Sequence, residues 1–512
     1  MNNMIKTLLG AGFAMAVAYY VHTAFGGVAH SGFLMIAAIF GAYMAMNIGA
    51  NDVANNVGPA VGSGALSIGG AIVVASIFEA SGALIAGGDV VKTIKKGIID
   101  PAAFAGDPMI FVYAMAAALL AAALWLTLAT ALKAPVSTTH SIVGGVMGAG
   151  IAAGGFAVVS WATMGKIAMS WVISPILGGL IAAGFLYIIK SEILHKEDRL
   201  QAAKKIVPIL VSLMAMAFIT YLTIKGLKKV WMDIVEIAPF LPEHKHKPTI
   251  GIALIFGAIG AIVTYLVVKP RVSARVESLK DERASINTLF TIPLIFAAAL
   301  LSFAHGANDV ANAVGPLAAI YDALAHTTIS AKASIPLWVM VTGGVGISVG
   351  LALFGPRLIK TVGSEITELD QMRAFSIMMA AAITVVIASQ LGLPVSSTHI
   401  AVGGVFGVGF LREWMDRKGT DKKREALNAQ IAKVDALKEE LANIGENYQR
   451  KAELYEIIKA EKKITKSLKK KIKEDYVKRG MVKKIVAAWV ITVPAAALLS
   501  AIIFFILKGI GA

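Results

Sequence analysis

Gly49–Ala60 reads GANDVANNVGPA and Gly306–Leu317 reads GANDVANAVGPL, identical at ten of twelve positions. Each is followed by a second shared stretch, PVSTTHSIVGGVMGAG at 135–150 and PVSSTHIAVGGVFGVG at 394–409, identical at eleven of sixteen. The first motif precedes the second by 86 residues in one half and by 88 in the other. Lys92-Thr93-Ile94 and Lys360-Thr361-Val362 fall between them at equivalent places. Two different motifs in one order at nearly one spacing identify a duplicated unit.

Outward from the motifs the chain is apolar. Of 512 residues, 57% are hydrophobic and 16% charged, against about 25% charged in a soluble domain, and the mean hydropathy is +0.72. Residues 108–132 carry no charge, a run longer than the roughly 20 residues that cross a bilayer. Similar runs lie at 31–50, 67–88, 164–189, 206–224, 249–268, 288–304, 335–355, 374–392 and 485–507. A segment at 5–25 precedes them and reads as a retained first helix rather than a signal peptide. The net charge of +16 could mark a nucleic-acid binder. The positives sit between spans, so basic cytoplasmic loops explain them and no nucleic-acid partner is expected. The chain has no cysteine, so nothing follows about disulfides.

Between the two GANDVAN motifs, counting 139–157 as a crossing, there are seven spans. An odd number turns the copies to face opposite ways. Inverted repeats of this kind are typical of secondary transporters, with a site near the midplane where broken helices meet. The short, glycine-rich 139–157 segment also reads as a re-entrant hairpin. The expected fold class is an all-α polytopic membrane protein with two inverted repeats, broken helices, re-entrant hairpins and a soluble helical hairpin. The expected divisions are a first helix at 1–30, repeat 1 at 31–157, connecting helices and loops at 158–287, repeat 2 at 288–411, a charged hairpin at 412–480 and a last helix at 481–512.

Within each motif, Gly58-Pro59 and Gly315-Pro316 interrupt a helix, predicting a break. Asp52 and Asp309 then lie at membrane depth with no Lys or Arg near them in sequence, which is costly without a partner. One remedy is a cation held by carboxylate, Asn amide and backbone oxygens. The plainer reading is a helix cap. Ser137-Thr138-Thr139 and Ser396-Ser397-Thr398 open helices. As ordinary caps they need no ligand, whereas as hydroxyl donors at helix N-termini they suit a tetrahedral oxyanion. Buried carboxylates would repel that anion by several kcal/mol, so cation and anion should bind together.

The paired GANDVANxVGP and PVSxTH motifs resemble those of the PiT family of inorganic phosphate transporters, over about 31–150 and 288–411. The resemblance implies uptake of phosphate driven by Na⁺ or H⁺, with sulfate or another oxyanion as the alternative cargo. It places Asn51, Asp52, Asn55, Asn308, Asp309 and Asn312 near the cation, with Na⁺ at Asp52 and Asp309. It places Ser137, Thr138, Thr139, Ser396, Ser397 and Thr398 at phosphate. It implies no cofactor beyond the transported ions, membrane lipid as surroundings, and leaves homo-oligomerisation open.

Glu79 lies inside the third span and resembles the acidic residue such transporters carry there. Its counterpart in the second copy is Ile347. Gln390 has Ala131 as its counterpart and is a candidate for reaching the site; both are candidate proton or coupling residues. His140 and His399 read as locally bonded first-turn residues, with a proton relay as the alternative. No HExxH, P-loop or nucleophile elbow occurs, which disfavours an enzyme or an ATP-driven pump. A passive channel or a membrane scaffold is the reading outside transport.

Residues 412–480 are densely charged. Leu427, Val434 and Leu441, with Ile431, Leu437 and Ile444 between them, form a coiled-coil-like stripe. Gly445-Glu446-Asn447 signals a turn. Leu454, Ile457, Ile464, Leu468 and Ile472 mark a second helix. The basic loops 190–205, 269–287 and 412–480 fall on one side and are placed in the cytoplasm with the N-terminus. The basic loop 225–248 falls on the other. The expected location is the plasma (inner) membrane.

Overall fold

The computed structural model describes residues 2–28, 30–132, 136–241, 247–326, 335–365, 369–416, 422–443, 445, 448–476 and 479–511. Pro135 of the first PVSTTH stretch and Glu446-Asn447 of the expected turn lie outside the described residues. So do the side chains of Thr361, Val362 and Ile472.

Helices follow in chain order. They are α1 (Asn3–Phe25), α2 (Ser31–Asn51), α3 (Val53–Gly62), α4 (Ile68–Ala86), α5 (Gly88–Lys96), α6 (Pro108–Ala131), α7 (Thr138–Gly154), α8 (Trp161–Ile189), α9 (Arg199–Gly226) and α10 (Trp231–Ile237). Then come α11 (Ile250–Glu277), α12 (Arg283–Thr288), α13 (Thr291–His326), α14 (Leu337–Glu365), α15 (Gln371–Gln390), α16 (Ser397–Asp416), α17 (Lys422–Asn443), α18 (Tyr448–Tyr476) and α19 (Arg479–Gly511). Among the described residues, eleven helical segments are long and apolar enough to cross a membrane. Each closes its own backbone hydrogen bonds, as hydrocarbon demands. The chain is an integral membrane protein.

The helix starts have local causes. Asp107 caps α6 by accepting from Met109 N at 3.0 Å, with Pro108 at the first turn where its missing N–H costs nothing. Ser137 caps α7 by accepting from His140 N at 3.1 Å, and Ser396 accepts from His399 N at 3.3 Å. The expected break appears at the first motif only, and narrowly. Asp52 separates α2 from α3 while its N–H still donates to the Ile48 carbonyl. In the second copy α13 runs unbroken from Thr291 to His326 with Pro316 inside it. A proline forfeits one donor, and neighbouring helices in a membrane bundle tolerate that loss. At 1.5 Å per residue α13 is about 54 Å long, and Asp309 sits near its middle.

Glycines set the packing. A Cβ at Gly82 would strike the Phe303 carbonyl and one at Gly306 the Glu79 carbonyl, so α4 and α13 touch backbone to backbone. Gly350 meets the Met46 carbonyl and Gly49 the Ile347 carbonyl in the same way, joining α14 to α2. The exchange recurs farther along. Gly144 and Gly148 of α7 pack on Val493 and Ala497 of α19, and Gly403 and Gly407 of α16 on Pro175 and Gly179 of α8. Each copy therefore seats its motif helices on helices that belong to, or follow, the other copy.

Between α16 and α19 the chain forms the charged hairpin. Val434 of α17 and Leu454 and Ile458 of α18 are buried, and Lys433 pairs with Glu461 at 2.7 Å. The second helix is rotated from the sequence expectation. Ile457 and Ile464 are exposed and Ile458 takes the inward position, because a Tyr-Glu-Ile-Ile run fits the stripe in two registers.

Candidate functional site

The two copies meet at Thr138, the first residue of α7. Its hydroxyl lies 2.6 Å from Asp52 Oδ2 and 2.9 Å from Asp309 Oδ2, and it accepts from Asn312 Nδ2 at 3.2 Å. Thr398 of the second copy donates to Asp52 Oδ1 at 2.9 Å and accepts from Asn55 Nδ2 at 2.8 Å. Asn312 Nδ2 also reaches Thr139 Oγ1 at 3.3 Å, the reciprocal of the Asn55–Thr398 bond. Asp52, Asp309, Asn55, Asn312, Thr138, Thr139 and Thr398 are all buried.

Further hydrogen bonds hold these residues in place. Asn51 Nδ2 donates to Thr130 Oγ1 at 2.8 Å and Asn308 Nδ2 to Ser389 Oγ at 2.9 Å, so the last turns of α6 and α15 are tied to the motif helices at matching places. Asn308 also accepts from Val395 N at 3.2 Å and donates to the Leu393 carbonyl at 3.1 Å, clamping the extended segment before α16. Buried oxygens remain: Asn51 Oδ1, Asp309 Oδ1, Asn312 Oδ1 and Ser397 Oγ make no hydrogen bond.

Glu79 joins this centre through a residue the sequence reading passed over. Its Oε1 accepts from Asn56 Nδ2 at 2.9 Å and its Oε2 lies 2.8 Å from His305 Nδ1. His305 Nε2 is 3.3 Å from Asp309 Oδ2. Asp52, His305 and Asp309 each offer one ligand atom, and these atoms lie within 4.8 Å of one another. Aligned on the motif, His305 has Ile48 as its counterpart, just as Glu79 has Ile347. An acid and a base that each break the repeat, in opposite copies, were the available signal.

The remaining candidates separate. Ser137 and Ser396 are caps. Gln390 lines an apolar cavity of about 330 Å³ with Thr220, Tyr221 and Leu300. His140 and His399 meet each other at right angles, ring centroids 4.4 Å apart, and the His140 ring lies tilted against Trp171 with centroids 3.8 Å apart.

A polytopic helical bundle with paired intramembrane carboxylates at the meeting of two copies defines a transporter-type membrane protein. The phosphate transporter family profile matches residues 48–500, and the chain belongs to that family. A protein of Helicobacter pylori (strain ATCC 700392 / 26695) named "Putative phosphate permease" is 51% identical over 500 residues, covering 94% of this chain and 91% of that one. A relative of the same description from Pyrococcus abyssi is 38% identical over 384 residues, 74% of this chain and 89% of its own. The solved structure titled "The sodium-dependent phosphate transporter" is similar with a TM-score of 0.74 at 32% identity, covering 93% of this chain and 99% of that chain.

Proposed function

We propose that this chain imports inorganic phosphate by symport with Na⁺, through alternating access about the two copies. The observation that carries the reading is one hydroxyl, that of Thr138, between carboxylates from both copies. A hydroxyl has one proton to donate, so it can satisfy Asp52 or Asp309 but not both. Two carboxylates this close repel by several kcal/mol at low effective dielectric. A cation between them removes the repulsion. Asp52, Asp309 and the unbonded Asn51 and Asn312 oxygens form the hard-oxygen set that Na⁺ prefers.

Cation binding then changes the hydroxyls. Thr138 and Thr398 donate to Asp52 in this structure. Once the carboxylate turns its lone pairs to a cation, those protons are free to point at an oxyanion held at the N-termini of α7 and α16, whose amides carry partial positive charge. The order, cation first and anion second, is coupling by electrostatics.

The reciprocal glycine contacts and the matched Asn51–Thr130 and Asn308–Ser389 bonds support a two-fold relation between copies. If α6 and α7 form one hairpin, they contribute an even number of crossings. The number of crossings from one motif helix to the next is then odd, as inverted repeats require.

Proton coupling is the second reading, favoured by the Glu79–His305–Asp309 chain, in which each group is within reach of the next. Uptake of labelled phosphate into proteoliposomes decides. A Na⁺ gradient should drive accumulation that a choline gradient does not, arsenate should compete, and sulfate should compete weakly. Accumulation driven equally by a pH gradient in choline would move the coupling to H⁺. Uptake without any gradient dependence would leave a channel.

A further inference from the structure

Between α15 and α16 the backbone from Gly392 to Val395 is irregular, and Pro394 and Val395 are buried. Irregular backbone inside a membrane bundle must find partners for its carbonyls. Here each of four successive carbonyls is met by a side chain. Gly392 O accepts from Thr93 Oγ1 at 2.7 Å, Leu393 O from Asn308 Nδ2 at 3.1 Å, Pro394 O from Trp171 Nε1 at 3.2 Å and Val395 O from Thr139 Oγ1 at 2.9 Å. Four helices supply the donors: α5, α13, α8 and α7. Asn308 and Thr139 belong to the GANDVAN and PVSTTH stretches, whereas Thr93 and Trp171 do not. Gly392 has φ +68°, and with Gly392 N donating to Ser389 O and Leu393 N to Ala388 O it closes α15 in a left-handed turn.

This segment leads directly into Ser396-Ser397-Thr398. Ser396 caps α16, Thr398 donates to Asp52, and Ser397 Oγ makes no hydrogen bond. Where that hydroxyl and the first amides of α16 stand depends on how the segment before them is held. Trp171 holds more than one element. Its N–H meets Pro394, two residues before the second triplet, and its ring lies against His140, the residue after Ser137-Thr138-Thr139, with centroids 3.8 Å apart. One side chain from a helix outside both copies thus touches the leading ends of both triplet helices. Thr93 stands on α5, which is itself anchored. Lys95 Nζ lies 3.1 Å from Asp322 Oδ2 on α13, both residues buried, and Asp89 pairs with Lys225 of α9. Support from anchored helices holds a site to a fixed geometry.

We propose that Trp171 and Thr93 are positioning residues for the transported oxyanion. They fix the Gly392–Val395 segment, and through it the spacing of the two hydroxyl triplets, so that the centre sorts tetrahedral anions by size. The inference rests on the reading of the triplets as oxyanion donors. Phosphate and arsenate share shape and charge, but As–O bonds are longer than P–O bonds. A braced centre therefore prefers phosphate, and a loosened one tolerates arsenate.

The test is uptake of labelled phosphate by proteoliposomes of the full-length protein under a Na⁺ gradient, with arsenate as competitor. Wild type is compared with W171F, T93V and T93S. Phenylalanine keeps an aromatic ring against His140 and removes the N–H; valine keeps the shape of threonine and removes the hydroxyl. W171F and T93V should each raise the phosphate half-saturation concentration about three- to ten-fold, the effect of one lost hydrogen bond. Each should leave the Na⁺ half-saturation at saturating phosphate unchanged. Each should also lower the ratio of the arsenate inhibition constant to the phosphate half-saturation. T93S, which keeps the hydroxyl, should match wild type. A merely structural role would lower the maximal rate and leave the ratio alone. An unchanged ratio in W171F and T93V, or a T93S variant that shifts as T93V does, overturns the inference, and T93V decides if W171F does not fold. Wild-type protein without saturable phosphate uptake would overturn the functional reading and this inference with it; working wild type with unchanged ratios overturns this inference alone.

Discussion

Thr138 holds its position because its neighbour Ser137 takes the capping duty, leaving the next hydroxyl free to face inward. The same division makes Asp52→Asn informative: the amide keeps the shape and loses the charge. It should raise the Na⁺ concentration needed for half-maximal phosphate uptake at least about ten-fold while the protein stays folded, and uptake titrated against Na⁺ measures this. The buried Glu79–His305 pair gives a second prediction. Removing one partner leaves the other unpaired, at a cost of about 3–5 kcal/mol, so E79Q and H305Q should each lower thermal stability more than the double variant's shortfall divided between them. Additive losses would show that the two groups do not depend on each other. The carboxylates, amides and hydroxyls of the centre were legible because both copies repeat them. His305 was not, because repeat comparison discards positions that disagree, and this residue is present in one copy only. His140 and His399, which do repeat, meet edge to face away from the Glu79–His305–Asp309 contacts.

At the scale of the helices, the site is placed by contacts too close for any side chain. Gly306→Ala would push a methyl group into the Glu79 carbonyl and separate α13 from α4 at the level of the His305–Glu79 bond. It should destabilise by about 1–3 kcal/mol, as overpacking does, and lose uptake. Gly69→Ala on α4, where nothing lies within 4 Å, should do neither. Melting temperature and uptake of the two variants provide the comparison, and equal behaviour would mean that the α4–α13 contact does not position the site. Glycine-rich stretches were visible in the sequence as close-packing surfaces. Which helix met which was not, because glycine periodicity gives a contact face without naming its partner. The proline in each motif was likewise visible, but whether a helix breaks there depends on what surrounds it: α13 absorbs Pro316, whereas α2 and α3 part at Asp52, seven residues before Pro59.

For the whole molecule, the duplicated core and the hairpin occupy different stretches of the chain. The hairpin leaves from α16 and returns to α19, and no residue of the centre lies in it. Joining Arg412 to Gly480 by a short linker should therefore leave the preference for phosphate over sulfate unchanged, as competition during uptake would report. A folded core with altered preference would place part of the site in the hairpin. The central claim concerns coupling across the whole protein: cation and phosphate stabilise one another's binding because the carboxylates of the two copies share one hydroxyl. Linkage makes the coupling reciprocal. Phosphate titrated calorimetrically into the purified protein in Na⁺ and in choline at equal ionic strength and across pH measures it directly. Phosphate should bind at least about ten-fold more tightly in Na⁺, and Na⁺ more tightly by the same factor in phosphate. Equal phosphate affinity in both salts at every pH would contradict the account.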